Sequence, residues 1–151
     1  MSKQNSSGYL RLENSDIVYS SDEKELWRLP IAKLRAVGEY TTANGPYADD
    51  YFLAFVTDQS DCWDEASYYA QGNDSFRVSL SKLLGDEILF GLNKSTHWKH
   101  RVLWPKKLEG ADLFNVVPEV RASNLLKKLK QKIFPRKTLE LAKSVRELCQ
   151  Q

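Results

Sequence analysis

The stretch DYFLAFVT, residues 50–57, constrains the fold of this chain more than any other. Its even positions Phe52, Ala54 and Val56 are apolar, and so are its odd positions Tyr51, Leu53 and Phe55. A β-strand sends successive side chains to opposite faces, so a strand that is apolar at both parities needs cover on both sides. A sheet with one face in water does not accommodate it. The chain must either lay a second layer over this sheet or curl the sheet so that the strand lies inside.

The rest of the pattern supplies the neighbours. YLRLE (9–13) and DIVYS (16–20) flank Asn14-Ser15, a hairpin-sized gap, and SSDEK makes the next turn. ELWRL (25–29) ends at Pro30, which has no N–H to give a ladder. KLRAVGEYTT (33–42) reads as a fourth strand, and ANGPYAD as a loop punctuated by Asn-Gly and Gly-Pro. After an acidic turn, DQSDCWDEA (58–66), ASYYAQ (66–71) is a sixth strand. Phe76, Leu80, Leu83, Leu84 and Ile88 then fall at helical steps. They predict a helix from residue 74 to 92, capped by Asp74 or Ser75 and interrupted at Gly85. RVLWP (101–105) is a short strand stopped by proline. In the tail, Ala122, Leu125, Leu126, Leu129 and Ile133 stripe one side of a helix over 119–134. Pro135 breaks it, and 137–149 forms a second amphipathic stretch with Leu141, Val145 and Leu148 on one side. The expected fold class is α+β. A disordered start (1–8) precedes a β-rich body (9–118) and a basic, amphipathic helical tail (119–151), which is expected to pack on that body.

Six or seven short strands in meander order followed by a helix, with ELWRLPIAKLRAVGEY standing as third and fourth strands, resemble the pleckstrin-homology-like (PH/GRAM-type) superfold over about residues 9–92. The resemblance implies a curled antiparallel sheet, a partial barrel, closed by a helix. Phosphoinositide-binding members of that superfamily place several Lys/Arg around the first hairpin. Here the turn is Glu13-Asn14-Ser15-Asp16, with Arg11 as the nearby cation, and an acidic loop repels a phosphorylated headgroup. The helix also lacks the tryptophan common in those domains. The resemblance therefore implies a fold and not phosphoinositide recognition.

Composition narrows the function classes. No apolar run approaches the ~18–20 residues of a membrane span, and the opening MSKQNSSGY lacks a signal peptide's apolar stretch. A cytoplasmic protein is expected, and in that reducing compartment Cys62 and Cys149 are free thiols; neither belongs to a CxxC or adjoins a histidine, which weighs against a catalytic thiol. The net charge of +2 hides an asymmetry. Residues 1–118 hold 13 Lys/Arg against 17 Asp/Glu, a net of −4, and residues 119–151 hold 9 against 3, a net of +6.

Chemistry-bearing residues cluster in three places. STHWKHRVLWP (95–105) carries His97 and His100, which would share a face on a helix and could then hold a metal. In an extended segment they point to opposite faces, with Trp98, Val102 and Trp104 at the parity of His100 and with Lys99, Arg101 and Leu103 opposite. The valine and the closing Trp-Pro favour extension. Basic residues Lys94, Lys99, Arg101, Lys106 and Lys107 around Trp98 and Trp104 match a single-strand-binding mixture, but the net-acidic body weighs against a nucleic-acid partner. The carboxylates Asp58, Asp61, Asp64 and Glu65 lack the spacing of a calcium loop and read as a solvated turn. GxSxG, GK[ST] and GxGxxG are absent. By position, Tyr40, Asn44, Tyr47, Asp49 and Asp50 around the Asn-Gly-Pro loop form the candidate partner-binding tip. In the tail, Lys127, Lys128, Lys130 and Lys132 form the candidate surface for an acidic partner or an anionic membrane. The reading as a whole is a non-catalytic protein-interaction or adaptor module with no cofactor and no metal, whose protein partner the sequence does not name. One alternative is a peripheral membrane protein using helix 121–134. Another is a metal-dependent enzyme built on His97, His100 and the 58–65 carboxylates.

Overall fold

The computed structural model describes residues 7–42, 49–59, 62–92, 98–116 and 139–150. The fold is α+β, with mostly antiparallel sheets and, among the described residues, two helices. Strands β1 (Tyr9–Glu13), β2 (Asp16–Ser21) and β3 (Lys24–Pro30) make one sheet in chain order. Two-residue turns join them. Asn14 and Ser15 both have positive φ (51° and 67°), as do Asp22 and Glu23 (50° and 64°), the handedness that matches strand twist in tight hairpins. Pro30 and the 3-10 turn Ile31–Lys33 end that sheet. Strands β4 (Leu34–Thr41), β5 (Tyr51–Thr57), β6 (Trp63–Ser67) and β7 (Lys99–Trp104) make a second, in the order β6-β5-β4-β7. The single curled sheet expected from the sequence is thus two sheets, parted where proline removes a ladder donor.

Three contacts show how the sheets lie. The Trp27 indole N–H of β3 donates to the Glu65 carbonyl of β6 at 2.9 Å, and the Ser67 N–H reaches the Tyr19 hydroxyl of β2 at 3.5 Å. Gln71 then bonds the edge of β1, accepting from Leu10 N–H at 3.0 Å and donating to Gly8 C=O at 2.8 Å. The β6 segment therefore runs across β3, β2 and β1 in turn. These bonds also cover an edge that would otherwise pair with foreign strands.

Helix α1 (Asn73–Leu84) lies on the same side. Its first turn starts from Gly72, not from Asp74 or Ser75, and Phe76 N–H closes on the Gly72 carbonyl at 2.9 Å. It ends at Gly85, whose φ of 75° suits the left-handed closing position that glycine adopts without strain. The expected helix to residue 92 therefore stops eight residues early, at Leu84, and 85–92 continues without helical structure. The sixth strand lies at 63–67 rather than 66–71, because Trp63, Asp64 and Glu65 pair with Val56, Phe55 and Ala54.

The second sheet is covered on both faces. Tyr51, Leu53 and Phe55 enter a core shared with Leu10, Ile17, Leu29, Phe76, Leu80 and Ile88. Ala54 and Val56 enter a second core with Ala36, Tyr40, Val102, Leu113 and Phe114. Strand β8 (Phe114–Val116), its partner β9 (Leu139–Leu141) and α2 (Lys143–Cys149) lie over this second face, burying Leu141, Val145 and Leu148. The helix expected over 137–149 thus begins as a strand, because residues 139–141 pair with β8. The 119–134 stretch lies outside the described residues. Among the described residues, no helix is long and apolar enough to cross a membrane.

Candidate functional site

Glu39 sits in the middle of β4 and is fully buried. Its cross-strand neighbours are Leu53 on β5 and Arg101 on β7. The Arg101 guanidinium donates through Nε to Glu39 Oε1 at 2.6 Å, and the Tyr51 hydroxyl donates to Oε2. The same carboxylate accepts the Gly91 N–H at 3.0 Å, the Tyr51 oxygen accepts the Leu92 N–H at 3.2 Å, and Arg101 Nη2 donates to the Leu89 carbonyl at 3.1 Å. Farther back, Ser81 Oγ accepts the Ile88 N–H at 3.0 Å and Arg77 donates to the Ile88 carbonyl at 3.1 Å. Side chains thus meet the main-chain polar groups of 88–92 that no helix or ladder satisfies. A Cβ at position 91 would overlap the Arg101 guanidinium, so a larger residue there would have to displace that side chain from its bonds to Glu39 and Leu89. Burial first, and then the bond to Glu39, holds the Tyr51 phenol far above its ordinary value.

His100 lies on the opposite face of β7. Its Nδ1 accepts the N–H groups of Leu113 at 3.2 Å and Phe114 at 3.3 Å, so that nitrogen carries no proton and the ring is neutral. Burial lowers its pKa, and the nearby Asp112 opposes that in part. Around it Tyr40 stacks on Phe52 with ring centroids 5.2 Å apart, and Trp63 and Trp98 flank Phe114. The folded state binds a proton at His100 less readily than the unfolded chain does. This contribution to stability is therefore complete above the unfolded histidine pKa of about 6.5 and is lost as pH falls below it. Urea midpoints measured at pH 7.5 and 5.5 should show a larger acid-side loss in the native chain than in His100→Gln, and equal losses would refute the role.

A concavity of about 540 Å³ lies at the corner where β3 leaves the crossing β6 segment. Arg28, Lys33, Asp58, Asp64, Cys62 and Trp63 are among its lining residues. Arg28 is held by Asp16 at 3.1 Å and by Glu25 at 2.8 Å, bonds that raise its pKa further. Partial burial raises the Asp64 carboxyl. The Glu65 carboxylate accepts the Trp63 indole N–H at 3.1 Å, and Asp61 lies outside the described residues.

The described residues of the candidate loop tip lie in different settings. Tyr40 is buried in the second core, whereas Asp50 accepts the Tyr69 hydroxyl at 2.6 Å and Asp49 accepts Ser7 Oγ at 3.1 Å. The bond to Asp50 pushes the Tyr69 phenol up to about 12. Asn44 and Tyr47 lie outside the described residues, as do His97 and Lys127, Lys128, Lys130 and Lys132. The stretch 98–104 is extended and alternates as expected as far as Leu103. Trp104 departs from the parity of His100 and packs on the first core, because a bulge shifts the β4–β7 register between Val37 and Gly38. No group of three or more His, Cys, Asp or Glu side chains among the described residues is arranged to hold a metal ion. The buried Glu39–Arg101 pair went unforeseen. Its signal is the single acid of the strand Leu34–Thr41, at the parity of Val37.

Compared with known proteins, the chain matches no family model, no curated protein and no solved structure.

Proposed function

We propose that this chain is a non-catalytic protein-interaction module on a scaffold of the pleckstrin-homology-like kind, and that it works in the cytoplasm. Two three-strand meanders followed by a helix support the scaffold reading, with β7 added beside β4 as a departure. The functional reading is carried by the groove at the β3–β6 corner, which Lys33 lines together with Asp58 and Asp64, while Arg28 is already paired with Glu25 and Asp16. A groove lined by both signs of charge is complementary to a polypeptide segment that carries both charges, and charge patterns of this kind set partner choice and encounter rate. The groups best suited to chemistry, Glu39, Arg101, Tyr51 and His100, meanwhile bond to main chain of their own protein.

Cys62 is exposed in this groove and Cys149 is buried, so a thiol-directed photocrosslinker labels the groove selectively. In extracts of the producing cell, the labelled chain should give a discrete crosslinked protein adduct. That adduct should disappear in the Lys33→Glu/Asp58→Lys variant at an unchanged melting temperature. An adduct that survives both reversals, or none at all, counts against the reading.

A further inference from the structure

Arg11, Arg28 and Arg101 each pair with a carboxylate. Arg35 does not. Its Nη1 donates to the carbonyls of Ala32 at 2.9 Å and Leu34 at 3.2 Å, and among the described residues no acid pairs with it. This anchoring holds the guanidinium through Nη1, and among the described residues no bond to its Nε or Nη2 donors is formed.

Arg35 lines a groove of about 360 Å³ with Leu34, Trp104, Pro105, Lys107 and Leu148. The start of β4, the end of β7, the 3-10 turn Lys106–Leu108 and the end of α2 converge there. Among the described lining residues are two cations and one indole beside apolar side chains, and no carboxylate. That composition stands out on a body whose first 118 residues are net acidic.

The chemistry of the walls selects a ligand. A guanidinium fork fits two oxygens of a tetrahedral anion, and a lysine adds a compact point charge. Two cations match a phosphate monoester, which carries about −1.5 to −2 at neutral pH, better than a single carboxylate. An indole face offers a stacking surface to any planar ring. A nucleic-acid backbone would need a longer basic track than these two residues provide. We propose that this groove binds a phosphate monoester held next to a planar base. Two sources present that chemistry: a free nucleoside monophosphate, and the phosphorylated end of a single strand.

Titration of the full chain with UMP, followed at the Trp104 indole N–H resonance (assigned with Trp104→Phe), tests this. UMP should shift that resonance to saturation, uridine should not, and inorganic phosphate should bind about tenfold or more weakly for want of the stacked ring. Lys107→Met should weaken UMP about tenfold through loss of a charge-assisted contact. Because Lys107 is exposed, this variant tests the site without disturbing the core. Arg35→Lys, which keeps the charge and loses the fork, should also weaken binding. UMP binding with no response to a 5′-phosphorylated oligothymidylate identifies the free nucleotide. Binding of the oligomer only when it is phosphorylated identifies the strand end. Failure of both to saturate, or native-like affinity in both Lys107→Met and Arg35→Lys, overturns the proposal.

Discussion

Glu39→Ala is expected to lower the free energy of unfolding by about 3–5 kcal/mol, the scale set by removing one partner of a buried ion pair. Against a total of roughly 5–15 kcal/mol for a typical domain, that places the variant near the edge of folding. The loss has several sources that act together. Arg101 keeps its charge on a largely covered strand, the Tyr51 hydroxyl loses its acceptor, and Gly91 N–H is left without a partner. The effect should also be local in its first stage, because 86–92 has no ladder of its own. Its amide protons should exchange faster in Glu39→Ala even under conditions where the sheet core remains protected. The double variant Glu39→Leu/Arg101→Met separates the charge from the packing. Replacing both partners with apolar groups removes the orphaned cation, so it should be more stable than Glu39→Leu alone. Urea midpoints for the three variants decide this. A loss of under ~1 kcal/mol in Glu39→Ala would mean that the network does not hold the 86–92 segment in place.

The first hairpins were legible because their signals are local. Asn14-Ser15 fixes the register of β1 on β2 and the SSDEK turn fixes the first pairs of β2 with β3, so the observed partners Glu13↔Asp16 and Ser21↔Lys24 follow from those turn lengths, although a bulge between Tyr19 and Ser20 shifts the rest of β3 by one residue. The double-sided cover of β5 was also legible, since alternation reports on both faces at once. What covers the second face was only half legible. Leu141, Val145 and Leu148 were recognised as an apolar set, but pairing of 139–141 with Phe114, Asn115 and Val116 spans over twenty residues of sequence. No local pattern encodes a contact at that distance. The same holds for the candidate sites. His100 and Arg101 were singled out for their chemistry. Their roles depend on Leu113, Phe114 and Glu39, which only the folded sheet brings within reach. Trp104 changes face because of one bulge, and a bulge leaves no mark in a strand's alternation until its partner is known.

Ending the chain at residue 138 should abolish the cooperative folded state. The cut removes Leu141, Val145 and Leu148, each buried against the second face of the β4–β7 sheet. Full burial of such a side chain is worth about 1.5–3 kcal/mol, so the three together contribute roughly 5–9 kcal/mol, a sum comparable to the whole stability of a domain. It also bares Ala54, Val56, Val102 and Phe114, and an apolar sheet face open to water is a self-association surface. The truncated chain should therefore sediment as aggregate or melt without a sharp transition. A point substitution separates loss of cover from the cut itself. Leu141→Ala leaves the chain length intact and should cost about 2–5 kcal/mol, read from urea midpoints. If the truncated chain keeps the native melting temperature and Leu141→Ala costs nothing measurable, then β9 and α2 are not the layer that the apolar alternation of DYFLAFVT demands. If both lose stability as expected, the second core is part of the folding unit.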